Sequence, residues 1–319
     1  MYQIGVDIGG TNIKIGLIDD SLQICARTVT PFPHGGGTRV AHEIALAVRA
    51  MLEQAGVRES ELGGIGVVVP GSIDASGQTV IDAHNLGFHD EPFRSRMEQE
   101  FPALPVRMAN DADGAALAEL YCGAFRGCRS AVLLTLGTGL GGGVILNGKM
   151  FCGGRGQGVE LGHMILVDGG EACTCGNAGC MEAYCSASAL AREGVREMAR
   201  CPESMIAEKA AGDSARVDAR LVTDCAKAGD AAANAAFARY VGHLSSACAT
   251  ICNLLDPEVL AIGGGLSAAG EFLFAPLNAQ VGEKCFFKTH GKIVPAQLGN
   301  DAGMIGAALL YQHEQEVQA

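Results

Sequence analysis

Apolar positions recur in two rhythms along this chain. Short, largely apolar stretches at residues 2–7, 13–18, 22–29, 65–69, 105–109 and 258–262 are bounded by glycine or polar turns, the pattern of strands. Between them the spacing lengthens to that of helices. Over 38–56, Val40, Ile44, Val48, Met51, Leu52 and Ala55 fall on one face, with Thr38 placed to cap the start and Gly56 to close the end. Further helices are predicted over 112–121, 188–201 and 230–255. The last presents Phe237, Val241, Leu244, Cys248, Ile251 and Leu255 and stops before Pro257. A final helix begins near Asp301 and covers 304–311. Strands alternating with helices predict an α/β protein. Several strands run straight into glycines or small polar residues: Gly9-Gly10, Pro70-Gly71, Asn110-Asp111 and Gly263-Gly264-Gly265. In open α/β sheets ligands collect at the carboxyl ends of strands.

Two of these turns are alike. Residues 135–148, TLGTGLGGGVILNG, lie over residues 7–20, DIGGTNIKIGLIDD, without a gap. Gly9 falls on Gly137, Thr11 on Gly139, Ile15 on Gly143 and Asp19 on Asn147. Each copy reads as strand, glycine turn, strand, polar turn. Such self-similarity suggests two related halves, each bringing a phosphate-sized turn to a shared cleft. A glycine turn admits phosphate oxygens because no Cβ blocks the backbone N–H groups. Neither copy is a Walker A or dinucleotide motif, since no helix follows the glycines. Each also reads as an ordinary glycine hairpin.

Composition narrows the class. The 319 residues are 48% hydrophobic and 18% charged, enough to bury a large core, and the length suits two domains. The net charge is −12 and no basic cluster occurs, which argues against nucleic-acid and anionic-membrane partners. No apolar run is long enough to span a membrane, and a strand predicted from residue 2 leaves no room for a leader. Thirteen scattered cysteines do not form a disulfide framework and fit a reducing cytoplasmic setting.

Three of those cysteines cluster in a Gly-rich segment. His163, Cys173, Cys175 and Cys180 make an H-x9-C-x-C-x4-C set suited to a closed tetrahedral zinc site. The competing reading is ordinary buried cysteines. Glu160 and Glu182 bracket the set, so a metal-braced loop would hold both acids as fixed acceptors for hydroxyls.

Asp111 follows a strand and opens an Ala-rich helix, where a carboxylate stays ionised and can act as general base. A helix N-cap is the other reading, and the two are compatible. Phosphoryl transfer needs an oriented hydroxyl, a base, phosphate-holding amides and a divalent cation. Asp111, the two glycine turns and Asp7, near the metal through water, supply that set. Asn85, Asn110, Glu160, His163 and Glu182 would serve a polyhydroxy substrate. Asp7 also reads as a turn residue, and Asn85 as a solvated loop residue.

The motifs DIGGTNIK at Asp7, PG at Pro70, NDA at Asn110, LGTGLGGG at Leu136, ELGH at Glu160 and CxCGxxGCxE at Cys173 together resemble the ROK (repressor, open reading frame, kinase) sugar kinases over nearly the whole chain. The resemblance implies a duplicated two-domain actin-like ATPase fold, of ribonuclease H-like type, with a central nucleotide and sugar cleft. It implies a small α/β domain over 1–118, a larger one over 119–301 carrying the zinc loop, and a C-terminal helix at about 302–319 packing back on the first. By resemblance, Asp111 is the base, and Gly71, Asn85, Asn110, Asp111, Glu160, His163 and Glu182 contact sugar. Asp7, Gly9, Gly10, Thr11, Asn12, Thr135, Gly137, Thr138 and Gly139 hold ATP phosphates, while Gly263, Gly264 and Gly265 approach the adenosine. Zn2+ is then structural and Mg2+ electrophilic.

Two positions depart from the family pattern: Asp113, where asparagine is common, and Val159, where glycine is more usual. The strand at residue 2 leaves no preceding helix-turn-helix of the kind found in family repressors. The activity implied is ATP-dependent phosphorylation of a hexose 6-hydroxyl, most closely that of glucose. Fructose, N-acetylmannosamine or allose kinases, or a non-catalytic sugar sensor, are the alternatives, and a homodimer is implied by resemblance.

Overall fold

The computed structural model describes residues 1–318. Ala319, the last residue of the helix expected at 302–319, lies outside the described residues. The chain forms two compact units: Met1–Arg129 with Gly143–Val159 and the segment from Leu298, and Ser130–Gly142 with Glu160–Gln297.

The first unit opens with strands β1 (Tyr2–Ile8), β2 (Asn12–Ile18) and β3 (Ile24–Pro31), an antiparallel meander, followed by helix α1 (Gly37–Ala55) and strand β4 (Leu62–Val69). A small sheet of β5 (Ser72–Ile73), β6 (Val80–Ala83) and β7 (Phe88–Glu91) comes next. Helix α2 (Phe93–Glu100), strand β8 (Val106–Asn110) and helix α3 (Asp111–Cys122) follow. The domain boundary expected between residues 118 and 119 thus falls inside the continuous helix α3. The main sheet has order β3-β2-β1-β4-β8, with β4 parallel to β1 and β8 parallel to β4.

Helices cover both faces of this sheet, which is why β4 is apolar almost throughout instead of alternating. On one face α1 buries Val40, Ile44, Val48, Met51 and Leu52. The C-terminal helix of the chain, residues 302–318, packs against β1 and β4 on the other. That approach depends on missing side chains: a Cβ on Gly5 would strike the Met304 carbonyl, and one on Gly66 the Ala307 carbonyl.

The second unit carries β9 (Ala131–Leu136) and the start of β10 (Leu140–Leu146), which leads to β11 (Lys149–Met150). After the cysteine loop come helices α4 (Glu182–Cys185), α5 (Ala187–Arg200), α6 (Met205–Ala210), α7 (Ala219–Lys227) and α8 (Ala231–Leu255). Strand β12 (Val259–Gly263), helix α9 (Glu271–Lys284) and strand β13 (Lys292–Pro295) complete it, and α10 (Ala302–Gln318) is the C-terminal helix already described. The second sheet has order β11-β10-β9-β12-β13, with β12 parallel to both β9 and β13. Numbered within each five-stranded sheet, both read third, second, first, fourth, fifth strand. The duplication suggested by the two glycine turns is therefore one of whole sheets.

Several expectations needed correction at element ends. Thr38 does not cap α1. The helix starts at Gly37 after Gly36, whose φ of 89° ends the preceding coil, and no side chain caps it. The third strand starts at Ile24, not at residue 22, because Leu22 sits in a turn at φ 61°. Helix α5 starts at Ala187, and the Ser186 hydroxyl accepts from Ala189 N–H at 3.1 Å. Asp230 caps α8, where its Oδ1 accepts from Ala233 N–H at 2.7 Å.

Candidate active site

The first unit holds two groups of candidate residues. At the end of β8, Asn110 is extended (φ −64°, ψ 150°) and caps α3. Its Oδ1 accepts from Ala112 N–H at 2.8 Å and Asp113 N–H at 3.4 Å. Asp111 is therefore the first helical residue and not the cap. Its half-buried carboxylate sits in the positive first turn of α3, with Oδ1 accepting from Ala112 N–H at 2.9 Å. Asn110 Nδ2 donates to the Gly71 carbonyl at 2.9 Å. Gly71 has φ 98°, and a Cβ there would collide with the Asp82 carbonyl on β6. The small sheet thus fixes Gly71 and, one turn later, Asn85 in a 3-10 turn over His84–Leu86. Gly10 lies against Asn85, since a Cβ on it would stand 3.4 Å from the Asn85 carbonyl. Asp113 is buried, 4% exposed.

The other group surrounds the first glycine turn. Gly9 N–H donates to Asn12 O at 2.9 Å, and Thr11 O accepts from Phe32 N–H at 2.8 Å. Asp7 and Lys14 are direct cross-strand partners, and Lys14 Nζ lies 3.0 Å from Asp7 Oδ2. Lys14 also donates to Asn300 O at 3.3 Å. A Cβ on Gly303, in the first turn of α10, would stand 2.9 Å from Asp7 Cγ. Lys14 was not among the residues expected to act, although it ends the DIGGTNIK motif. Its signal was a cation at a polar position of an otherwise apolar strand.

In the second unit the candidates converge on the other glycine turn. Gly137 N–H donates to Gly139 O at 3.0 Å, and the turn is buttressed by Ala187 N–H to Gly137 O and Ser188 Oγ to Thr138 O, both 2.8 Å. Glu182 Oε2 accepts from Leu140 N–H at 3.0 Å and occupies the space a Cβ on Gly139 would need, 2.6 Å away. Its Oε1 accepts from Thr174 Oγ1 at 3.0 Å. Glu182 therefore ties the glycine turn to the cysteine loop, a link the spacing of the motifs did not reveal. Thr174 and Ser188 were likewise missed. Glu160 precedes a 3-10 turn over Leu161–His163 whose Gly162 abuts the Leu140 carbonyl. Gly263 pairs with Thr135, and Gly264, at φ 81°, lies so close to Leu136 that only glycine fits. Thr135–Gly139, Glu182 and Gly263–Gly265 thus form one contact group.

His163, Cys173, Cys175 and Cys180 present donor atoms all within 4.8 Å of one another. Cys173 Sγ is 3.6 Å from His163 Nδ1, and Cys175 Sγ is 3.7 Å from Cys180 Sγ. A tetrahedral zinc with Zn–S near 2.3 Å has S–S edges of about 3.8 Å and S–N edges of about 3.5 Å. The set fits zinc. Burial pushes the Cys180 thiol up to about 12, while the Asn177 backbone N–H lowers that of Cys175, so a cation is what would ionise all three thiols together. Glu171 anchors the loop to α5 through Arg196 at 2.7 Å, and its N–H donates to the Tyr184 hydroxyl at 2.7 Å.

The ROK family model matches residues 3–314. The chain belongs to the ROK family. Its relatives include the glucokinase of Thermotoga maritima, 37% identical over 96% of this chain and 95% of that one. The glucokinase of Halalkalibacterium halodurans is 34% identical over 98% and 96%. Among solved structures, the ROK glucokinase of Streptomyces griseus in complex with glucose and AMPPNP superposes with a TM-score of 0.82 at 32% identity, covering 98% of this chain and all of that one. The fold of this ROK protein is accordingly the actin-like ATPase fold of ribonuclease H-like, duplicated type. Among the described residues no helix is long and apolar enough to cross a membrane.

Proposed function

We propose that this ROK protein is an ATP-dependent hexose kinase that phosphorylates the 6-hydroxyl of glucose. Similarity to glucokinases along nearly the full length of both chains supports the substrate class. The observation that carries the chemistry is the Asn110 cap, which leaves Asp111 at the first position of α3 as a carboxylate not needed to start the helix.

In the reaction, Asp111 accepts the 6-hydroxyl proton as that oxygen attacks the γ-phosphorus. The O6–P bond forms, the bond from phosphorus to the β–γ bridging oxygen breaks, and ADP leaves. Backbone N–H groups of the turns over Asp7–Asn12 and Thr135–Gly139 hold phosphate oxygens, and Gly263–Gly265 borders the adenosine. Glu160, His163, Glu182, Asn85, Asn110 and Gly71 read the sugar hydroxyls. Glu182 Oε2 accepts one hydrogen bond, from Leu140 N–H, and keeps a second lone pair for substrate, whereas Oε1 accepts from both Thr174 Oγ1 and Cys173 Sγ. Mg2+, held through water by Asp7, would neutralise charge on the phosphates. Zn2+ on His163, Cys173, Cys175 and Cys180 would hold the loop that carries His163 and Glu182. A cytoplasmic homodimer is the expected state, tested by sedimentation and fractionation.

A coupled ADP-release assay over glucose, mannose, fructose, allose and N-acetylmannosamine tests the reading. Glucose should give the highest kcat/KM. Asp111→Asn should lower kcat about 10³-fold while calorimetric glucose affinity stays within about threefold. Sugar binding without turnover of any hexose by the unmodified protein would instead identify a sensor.

A further inference from the structure

A second cluster of soft ligands lies away from the zinc loop. Cys252 in the last turns of α8, Cys285 just after α9 and His290 just before β13 bring Sγ, Sγ and a ring nitrogen within 4.8 Å of one another. We propose that these three residues form a second Zn2+ site, with water or an exogenous ligand at the fourth position.

Three observations support a built site over a chance grouping. First, the imidazole is oriented. His290 Nδ1 lies 2.8 Å from the Gly291 carbonyl, which can only accept, so Nδ1 carries the proton and Nε2 keeps its lone pair. Backbone carbonyls orient metal-bound histidines in this way. Nε2 faces Gly282 on α9, where an added Cβ would stand 3.7 Å away, so this neighbour offers no bulky side chain to crowd the nitrogen. Second, the loop bearing two of the ligands is registered on its surroundings without any metal. Phe286 N–H donates to Asn253 Oδ1 at 2.9 Å, Lys292 N–H donates to Glu258 O at 3.3 Å, and Gly291 packs so tightly on Pro257 that a Cβ would overlap its carbonyl. Third, burial is graded. Cys252 is 1% exposed, whereas Cys285 and His290 are half-buried, which leaves a side for entry. Two thiolates and an imidazole favour a borderline d10 ion, and three protein ligands leave an open vertex, unlike the closed His163 set. A tetrahedral ion needs edges of about 3.5–3.8 Å, within a small side-chain adjustment of the observed cluster. Zinc here would tie the end of α8 to the loop between α9 and β13.

The test uses the full chain, loaded with Zn2+ and gel-filtered, with metal measured by mass spectrometry. Cys285→Ser and His290→Gln should each hold about one zinc per chain less than the unmodified protein. His290→Cys, which retains a ligand, should regain it. Cys252→Ser is avoided because its wholly buried site makes unfolding the simpler outcome, and circular dichroism confirms that the chosen variants fold. Cys175→Ser removes the other zinc independently, so failure of one site is distinguishable from failure of the other. Co2+ in the Cys175→Ser protein should give a thiolate-to-metal band that His290→Gln weakens. Equal zinc content in the unmodified, Cys285→Ser and His290→Gln proteins would overturn the proposal. So would two fewer titratable thiols than the 13 in the sequence in metal-free denatured protein, because Cys252 and Cys285 would then be a disulfide.

Discussion

The two glycine turns share a backbone design and differ at matched side chains. Where β1–β2 carries Asp7 and Lys14 as a cross-strand ion pair, the aligned positions of β9–β10 carry Thr135 and Gly142. Where the first turn has Thr11, the second has Gly139, and the Glu182 carboxylate fills the vacated space. Gly142 leaves room for Leu161 of the ELGH segment, whose Cδ1 would be 2.7 Å from a Cβ there. Duplication thus preserved the strand–glycine turn–strand unit and divided the remaining work. The first copy keeps a charge pair at its turn. The second gives up side chains so that the loop bearing Glu160, His163 and Glu182 can close on it. The glycines at 139 and 142 make room for a neighbour's carboxylate and a neighbour's leucine.

The harshest way to break this division is to make the second turn resemble the first. Gly139→Thr would place a β-branched side chain where Glu182 Oε2 now lies, with Cβ only 2.6 Å from it. Overpacking of this kind costs about 2–3 kcal/mol, and a displaced Glu182 loses its bond to Leu140 N–H. We expect kcat/KM for glucose to fall roughly 100-fold. Thr11→Gly, the reverse exchange, should cost less than a tenth of that. Equal losses from the two exchanges in steady-state kinetics would sink the asymmetry.

Lys14→Met is next in size. It keeps the aliphatic stem and removes the ammonium beside Asp7, whose side chain is only 17% exposed. If Lys14 serves the phosphates, the KM for ATP should rise about tenfold, equivalent to about 1.4 kcal/mol, with the KM for glucose little changed. A lysine that only neutralises Asp7 would instead lower the melting temperature and leave both KM values alone. Measuring both separates the roles.

What could be read from the chain follows the range of the interactions involved. The repeated strand–turn–strand units and the H-x9-C-x-C-x4-C spacing are local, and the structure brings each together. The Asp111 cap reading failed because Asn and Asp cap helices equally well. The choice fell to Asn110 because β8 ends there in an extended conformation, and its amide also reaches Gly71, 39 residues away. The β5–β6–β7 sheet was missed because its strands are only two to four residues long and are fixed by Gly71 lying against Asp82, not by periodicity. Pro276 inside α9 hid that helix in the same way. The Glu182–Leu140 bond spans 42 residues between two motifs, each legible alone.

The gentlest probe tests that bond from its other end. Thr174 stands between two metal-set cysteines, is exposed, and donates to Glu182 Oε1 at 3.0 Å. It offers the metal no ligand, so Thr174→Ala leaves the His163, Cys173, Cys175 and Cys180 set complete. A net hydrogen bond to a charged acceptor contributes about 1.5–3 kcal/mol when shielded, but water can replace an exposed donor, so about 0.5–1 kcal/mol is the appropriate loss. If Glu182 conveys the state of the cysteine loop to the glycine turn, the freed carboxylate shifts against both Leu140 and the sugar. The KM values for glucose and ATP should then rise together, two- to fourfold, with zinc content unchanged. A rise confined to glucose would mean that Thr174 orients the acid for the sugar alone. The link from cysteine loop to glycine turn would then have to run through the backbone contact between Gly162 and Leu140.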